Sequence, residues 1–252
     1  MRKILKSWLE PTGYRLVNSA RRWGVDVFDD LKRLTVGADP LQVIFDVGAN
    51  RGQTSLALLR TFQEARVYAF EPVQGTYASL CTNVRHEPRI TPECIALSDE
   101  ACTADISLFG DDGKSSLNGT MEDSLHRCRS GTQSVSITTV DQYCNERRID
   151  QIDLLKSDTE GHDRKVLIGA RRMLREGRVR FVYVEFHHLS QFDRHEEQGL
   201  NSLTELADLL RPCGFRFVSV YTDSVHHDEP VGTHNALFAY RPDLVKRQHE
   251  PC

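Results

Sequence analysis

No apolar stretch of this chain approaches the roughly 18 residues that a membrane-crossing helix needs. The start is basic, but Lys6 follows Ile4 and Leu5 at once, so the apolar centre of a secretory signal is missing. Cys-x-x-Cys pairs are missing too. The seven cysteines (Cys81, Cys94, Cys102, Cys128, Cys144, Cys213, Cys252) are odd in number and irregularly spaced. They argue against a disulfide framework or a zinc site and predict scattered reduced thiols in a cytoplasmic protein. A surplus of positive charge is also lacking: 32 Lys and Arg face 36 Asp and Glu, a net of −4. Nucleic acid is therefore not an expected partner. Internal repeats and low-complexity stretches are absent.

What remains is a chain of 252 residues, 39% hydrophobic and 27% charged, the balance of a globular protein with room for one α/β domain. Its charge is uneven. Residues 1–22 carry Arg2, Lys3, Lys6, Arg15, Arg21 and Arg22 against Glu10 alone, a net of +5, which leaves −9 for the rest. Residues 1–38 read as a helical arm ahead of the domain. Its Ile4, Leu5, Trp8 and Leu9 beside basic residues suit peripheral contact with an anionic membrane, although packing onto the domain or a second subunit of a homo-oligomer is the favoured reading.

From residue 39 onward, β-rich runs alternate with helical periods. Strands are expected at Leu41–Val47, Arg66–Phe70, Ile90–Leu97, Ile152–Lys156, Val179–Phe186, Phe215–Tyr221 and Ala236–Tyr240. Helices are expected at Thr54–Phe62 and Gln74–Arg85, over Val166–Leu174, and from Leu200 to Leu210. Nearly continuous apolar strands alternating with helices predict a mostly parallel sheet covered on both faces. The last two strands have no helix between them, so they form an antiparallel hairpin. The fold class is α/β: a seven-stranded Rossmann-like sheet, six strands parallel and one reversed. Residues 99–139 interrupt the alternation. Ala104–Phe109 and Ser134–Thr138 read as a β-hairpin arm flanking a polar stretch, which suits a lid or binding loop.

The first strand ends Asp46-Val-Gly48-Ala49-Asn50-Arg-Gly52. Glycine here permits a sharp turn and a close ligand, at the strand end where open α/β sheets bind theirs. The dinucleotide fingerprint needs glycine where this chain has Asn50 and Gln53, so a pyrophosphate is not the expected ligand. The second strand ends Phe70-Glu71-Pro72, which places an acid for ribose hydroxyls. A glycine turn with a ribose acid but no pyrophosphate glycines points to a single nucleoside, and S-adenosylmethionine fits.

The order of motifs resembles the FkbM family of S-adenosylmethionine-dependent methyltransferases. The matching stretches are VIFDVGANRGQTSL (43–56), VYAFEPVQGTYASLCTNV (67–84), ECIALSD (93–99), KSSL (114–117), ITTVDQY (137–143), IDLLKSDTEGHDRKVLIGA (152–170) and VRFVYVEFH (179–187). LLKSDTEGHD is similar to the family's K-I-D-x-E-G-x-E pattern, with Ser157 in place of an apolar residue and Asp163 in place of glutamate. The resemblance implies a class I methyltransferase fold and O-methyl transfer, often to a hydroxyl of a sugar, glycan or other secondary metabolite.

Donor binding is assigned to Asp46, near the methionine amino group, to the turn residues Gly48, Ala49 and Asn50, to Glu71 and Pro72, and to Asp158, which is also a catalytic candidate. Ala96, Leu97 and Ser98 form the adenine neighbourhood, with plain strand packing as the alternative for the first two. At the ends of the fourth and fifth strands stand Asp158, Glu160, His162, Glu185 and His187, which converge if those strands are neighbours. Glu160 also falls in what reads as a helical first turn, where a carboxylate suits the dipole. His162 or His187 is the expected general base, oriented by Asp158 or Glu185. A divalent metal on the acceptor oxygens is the second, less favoured reading. His226, His227, Asp228 and Glu229 are read as a solvated loop, and Lys114, Ser115 and Ser116 as lid residues. A nicotinamide oxidoreductase and a non-catalytic nucleoside-binding module stay open as alternatives.

Overall fold

The computed structural model describes residues 23–109, 114–116, 129–189, 201–224 and 233–241. The basic stretch 1–22, the polar segment 117–128 and the His226–Glu229 cluster lie outside the described residues. Helix α1 (Val27–Leu34), capped by the Asp26 side chain, leads into β1 (Val43–Val47), α2 (Gln53–Thr61), β2 (Arg66–Phe70), α3 (Gln74–Val84) and β3 (Ile90–Glu93). A short β4 (Ala96–Leu97), β5 (Cys102–Phe109), β6 (Lys114–Ser116) and β7 (Arg129–Thr138) form the interrupting segment. The alternation resumes with α4 (Val140–Arg147), β8 (Ile152–Ser157), α5 (Asp163–Gly169), α6 (Arg171–Arg175), β9 (Val179–Phe186) and α7 (Leu203–Leu210). It closes with β10 (Phe215–Ser224) and β11 (Thr233–Tyr240).

The main sheet has seven strands in the order β10-β11-β9-β8-β1-β2-β3, with only β11 antiparallel to its neighbours. Six parallel strands and one reversed is the Rossmann-like arrangement that the apolar pattern predicts. Both faces of the strands are covered, which is why they read as unbroken apolar runs. Phe45 and Val47 face a core with Phe70, Tyr143, Val166 and Phe186, while Ile44 faces one with Leu31, Leu58, Leu80 and Leu154. Each such side chain contributes about 1.5–3 kcal/mol by leaving water. β1 has β2 on one side and β8 on the other, so the chain crosses over in opposite directions from it. A crevice opens at the carboxyl ends of strands at such a switch point.

The expected third strand, Ile90–Leu97, is broken in two. β3 pairs with β2 at the sheet edge, where Pro92 is tolerated because the side without a neighbour asks for no ladder hydrogen bond. The chain then leaves the sheet, and β4 pairs with β7, Ala96 opposite Ile137 and Leu97 opposite Thr138. Ala96 gains a separate small core with Val73, Ile106, Val135 and Ile137. The expected hairpin arm is present as β5 and β7, antiparallel, with β6 added at the far edge. Helix α4 fills the connection from β7 to β8, where no helix was expected. Its start was legible as Thr139-x-x-Gln142, and the Thr139 hydroxyl accepts from the Gln142 backbone N–H at 3.0 Å. The helical pattern from Val166 to Leu174 is divided at Ala170 into α5 and α6. No described helix is long and apolar enough to cross a membrane.

Candidate functional site

The carboxyl ends of β1, β2 and β8 open into a cleft of about 390 Å³, within the size range of small-molecule sites. Its floor is the turn after β1. Gly48 has φ +72°, and a Cβ there would lie 1.9 Å from the Asp158 carbonyl oxygen. Only glycine lets the β1 and β8 turns meet this closely. The Asp158 N–H also donates to the Val47 carbonyl at 3.1 Å. Asn50 sits at φ 51°, a conformation asparagine adopts more readily than most residues. Its backbone N–H donates to Glu71 Oε2 at 3.1 Å, while Glu71 Oε1 accepts from the Val73 N–H at 2.9 Å.

Glu71, Pro72, Ala49 and Asn50 all line the cleft, as do Ala96 and Leu97 from β4. Burial lifts the Glu71 carboxyl to about 7, against the downward pull of the two backbone N–H groups and of Lys156. Asn50 Oδ1 and Thr159 Oγ1 are buried polar atoms with no hydrogen-bond partner among the described residues. Both residues belong to the cleft wall. Polar groups left this way in a concave site suit a polar ligand.

Asp46 stands behind the wall rather than in it. It is fully buried, its Oδ2 accepts from the Ser55 hydroxyl at 2.6 Å and its Oδ1 lies 2.8 Å from Lys156 Nζ. The ammonium donates to the Gly48 carbonyl at 3.2 Å and reaches Asp158 Oδ2 at 3.7 Å. Burial opposes the lysine's charge, yet Asp46 and then Asp158 hold its pKa above the ordinary lysine value. Asp46 thus acts on the turn through Lys156, a residue to which the sequence pattern gave no separate task. Ser98 is buried and set back from the cleft.

The turn after β8 carries Asp158, Thr159, Glu160 and His162 into the cleft wall. Glu160 has φ 52° and precedes the helix, which begins at Asp163 with His162 as N-cap. The expected placement of Glu160 in a helical first turn is therefore corrected: Gly161 continues the turn and delays the helix. Asp163 does the anchoring. Fully buried, it accepts from the Ser157 hydroxyl at 2.6 Å, the Thr159 N–H at 3.1 Å and Asn201 Nδ2 at 2.9 Å. The two departures from the family pattern, Ser157 and Asp163, are thus one hydrogen-bonded pair. Burial raises Asp163 to about 6 despite its donors.

His162 Nε2 lies 2.8 Å from the Ser98 hydroxyl, which donates to Asp99 Oδ1 at 2.8 Å. With the Ser98 proton committed to Asp99, Nε2 carries the proton of neutral His162. Burial first, and Lys165 second, lower His162 to about 4. β8 and β9 are neighbours in the sheet, so the end of β9 meets the same cleft. Glu185 lines it, and His187 Nε2 stands 3.8 Å from Glu185 Oε2. The His187 N–H donates to the Asn201 carbonyl at 2.9 Å. Asn201 therefore joins the β8 turn to the β9 end, a role with no local sequence signal because it lies 38 residues from Asp163.

Among the described residues, no three His, Cys, Asp or Glu side chains form a group suited to a metal ion. Lys114–Ser116 form β6 on the second sheet, opposite Phe109, Leu108 and Ser107. The donor that the sequence implies fits the cleft in volume, in the Glu71 carboxyl and in the unpartnered oxygens of Asn50 and Thr159.

Residues 46–217 match the FkbM domain of methyltransferases. The chain is 30% identical over 221 residues to the 31-O-demethyl-FK506 methyltransferase FkbM of Streptomyces tacrolimicus, covering 77% of this chain and 81% of that one. It is 30% identical over 160 residues to the hexuronic acid methyltransferase AglP of Haloferax volcanii, covering 63% of this chain and 62% of that one. It is also 29% identical over 268 residues to the AMB antimetabolite synthetase AmbE of Pseudomonas aeruginosa; the match covers 87% of this chain but only 12% of that much longer protein. With the glycine turn, the Glu71 carboxyl and the Asp158–Glu160 turn arranged around one cleft, the chain belongs to the FkbM methyltransferase family and is an S-adenosylmethionine-dependent methyltransferase on a Rossmann-like fold.

Proposed function

We propose that this protein methylates a hydroxyl of a sugar, glycan or other hydroxylated small molecule. The observation that carries this reading is the two-ended cleft. One end presents Glu71, Asn50 and the β4 apolar residues, and the other presents Asp158, Glu160 and Glu185. Related proteins named for an O-methylation and for a hexuronic acid substrate support an oxygen acceptor.

When bound, S-adenosylmethionine supplies a methyl group on a positively charged sulfur, open to in-line attack by oxygen. Glu71 accepts from the ribose hydroxyls, and Asn50 and Thr159 offer their unpartnered oxygens to the polar parts of the donor. Lys156 holds Gly48 and Asp158 in register, so that alignment, which supplies much of the rate in such a displacement, is set before binding. Asp158 and Glu160 orient the acceptor. Its hydroxyl proton goes to the Glu185–His187 pair. His162 is the weaker candidate because a base works best with a pKa near the operating pH, and burial has taken this imidazole well below it.

The test is methyl transfer from labelled donor to a panel of sugars, glycans and hydroxylated metabolites, with and without chelator. On the acceptor found, His187→Ala and Glu185→Gln are expected to lower kcat by about 10²–10⁴ while leaving donor affinity unchanged. His162→Ala, a packing change, is expected to lose stability more than turnover. Full turnover in both His187→Ala and Glu185→Gln would reject the proton route. Loss of activity with chelator would move the proton to a metal-assisted path.

A further inference from the structure

Helix α3 begins directly after the turn that carries Glu71, yet no side chain of its own caps it. Its N-cap is Val73, which has no capping hydroxyl, carboxyl or amide. Pro72 brings no N–H, and Glu71 Oε1 is engaged by the Val73 N–H. The missing cap arrives from β7, 59 residues away in sequence: Gln133 Oε1 accepts from the Gln74 N–H at 3.1 Å. The same amide donates through Nε2 to the Pro72 carbonyl, also at 3.1 Å. One side chain therefore grips both sides of the turn.

Its position in β7 explains how. Gln133 shares a strand face with Val135 and Ile137, which are buried against Val73, Ala96 and Ile106, whereas Thr132, Ser134 and Ser136 are exposed. The inward row of the second sheet thus ends in an amide aimed at the turn. Val73 and Ile106, from the two sides of this contact, both line the cleft.

We infer that Gln133 is a positioning residue for the methyl donor: it fixes the Glu71–Gln74 turn and so couples the second sheet to occupancy of the donor site. This rests on reading the Glu71 end of the cleft as the donor end. Coupling of this kind is reciprocal, so the bound donor steadies β7 as much as β7 steadies the turn.

The test combines hydrogen exchange with titration of S-adenosylhomocysteine on the full chain. Without ligand, Gln133→Ala is expected to speed exchange of the Gln74 amide and to weaken S-adenosylhomocysteine binding by about tenfold, the usual scale of a lost helix cap. It should also shift the pH midpoint of binding, because the turn that presents Glu71 has moved. Gln133→Glu keeps the acceptor for Gln74 but not the donor to Pro72, and should fall between wild type and alanine. Ser134→Ala, exposed on the opposite face, should match wild type. Ligand is expected to slow exchange along β7 in wild type but not in Gln133→Ala. Unchanged exchange at Gln74 in Gln133→Ala would overturn the clamp itself. Faster exchange with unchanged affinity and pH midpoint would reduce it to a structural contact. A wild-type protein that bound no S-adenosylhomocysteine would remove the donor reading and this role with it, whatever Gln74 did.

Discussion

Glu71 accepts two backbone N–H bonds, but burial still lifts its carboxyl to about 7. Ribose hydroxyls need the carboxylate as acceptor, so donor affinity should fall as pH drops from 8 to 6, approaching about tenfold per unit below the midpoint. Glu71→Gln should bind S-adenosylhomocysteine weakly and without that pH dependence in calorimetric titration; a parallel dependence would assign the titration elsewhere. His162 ties pH to stability rather than to binding. Its pKa is lowered from 6.5 to about 4 in the fold, so the unfolded chain binds the extra proton between those values. The resulting stability is present in full above pH 6.5 and is lost as pH falls toward 4, an effect of about 3 kcal/mol. Urea unfolding of wild type and His162→Gln at pH 7, 5.5 and 4 should show their difference shrink on acidification. A constant difference would count against a buried neutral imidazole.

At the scale of elements, the β8 turn is anchored less by its helix than by Asp163. The Ser157 hydroxyl, the Thr159 N–H and the Asn201 amide all donate to this one buried carboxyl. Removing the hydroxyl alone, in Ser157→Ala, should cost about 1–3 kcal/mol because a buried acceptor loses a donor. Changing both positions to the family's residues, Ser157→Ile with Asp163→Glu, should cost less than the sum of the single changes. A coupling of about 0.5–3 kcal/mol in the double-mutant cycle, read by urea unfolding, is the expected outcome. Strict additivity would mean that the two departures are unrelated. The motif was legible in the sequence, as were the glycine turn and Glu71, because local chemistry at strand ends dictates them. Lys156 was legible as a member of that motif, but its hold on Asp46 and Gly48 was not, and neither were the partners Asn201 and Gln133, because each acts across the fold on a group distant in sequence.

For the whole molecule, the helix ahead of the sheet is tied to its far edge. Tyr221 of β10 donates its hydroxyl to the fully buried Asp30 of α1 at 2.7 Å, and Asp30 also accepts from the Gly24 N–H and pairs with Arg33. Tyr221→Phe should lower Tm by about 2–4 °C for each kcal/mol lost, with S-adenosylhomocysteine affinity unchanged, since the contact lies away from the cleft. A change in affinity without a change in Tm would contradict this separation. The sequence by itself determined the α/β class, the six-plus-one strand directions, the glycine turn and the family. Strand periodicity and turn chemistry are local properties, and the motifs sit in short contiguous runs. Only the tertiary structure decided that Ile90–Leu97 divides between two sheets, that Asp46 and Ser98 stand behind the cleft wall, and that Glu160 precedes its helix. Those outcomes depend on which distant groups share one buried space and satisfy one another's hydrogen bonds there, and chain order does not record that.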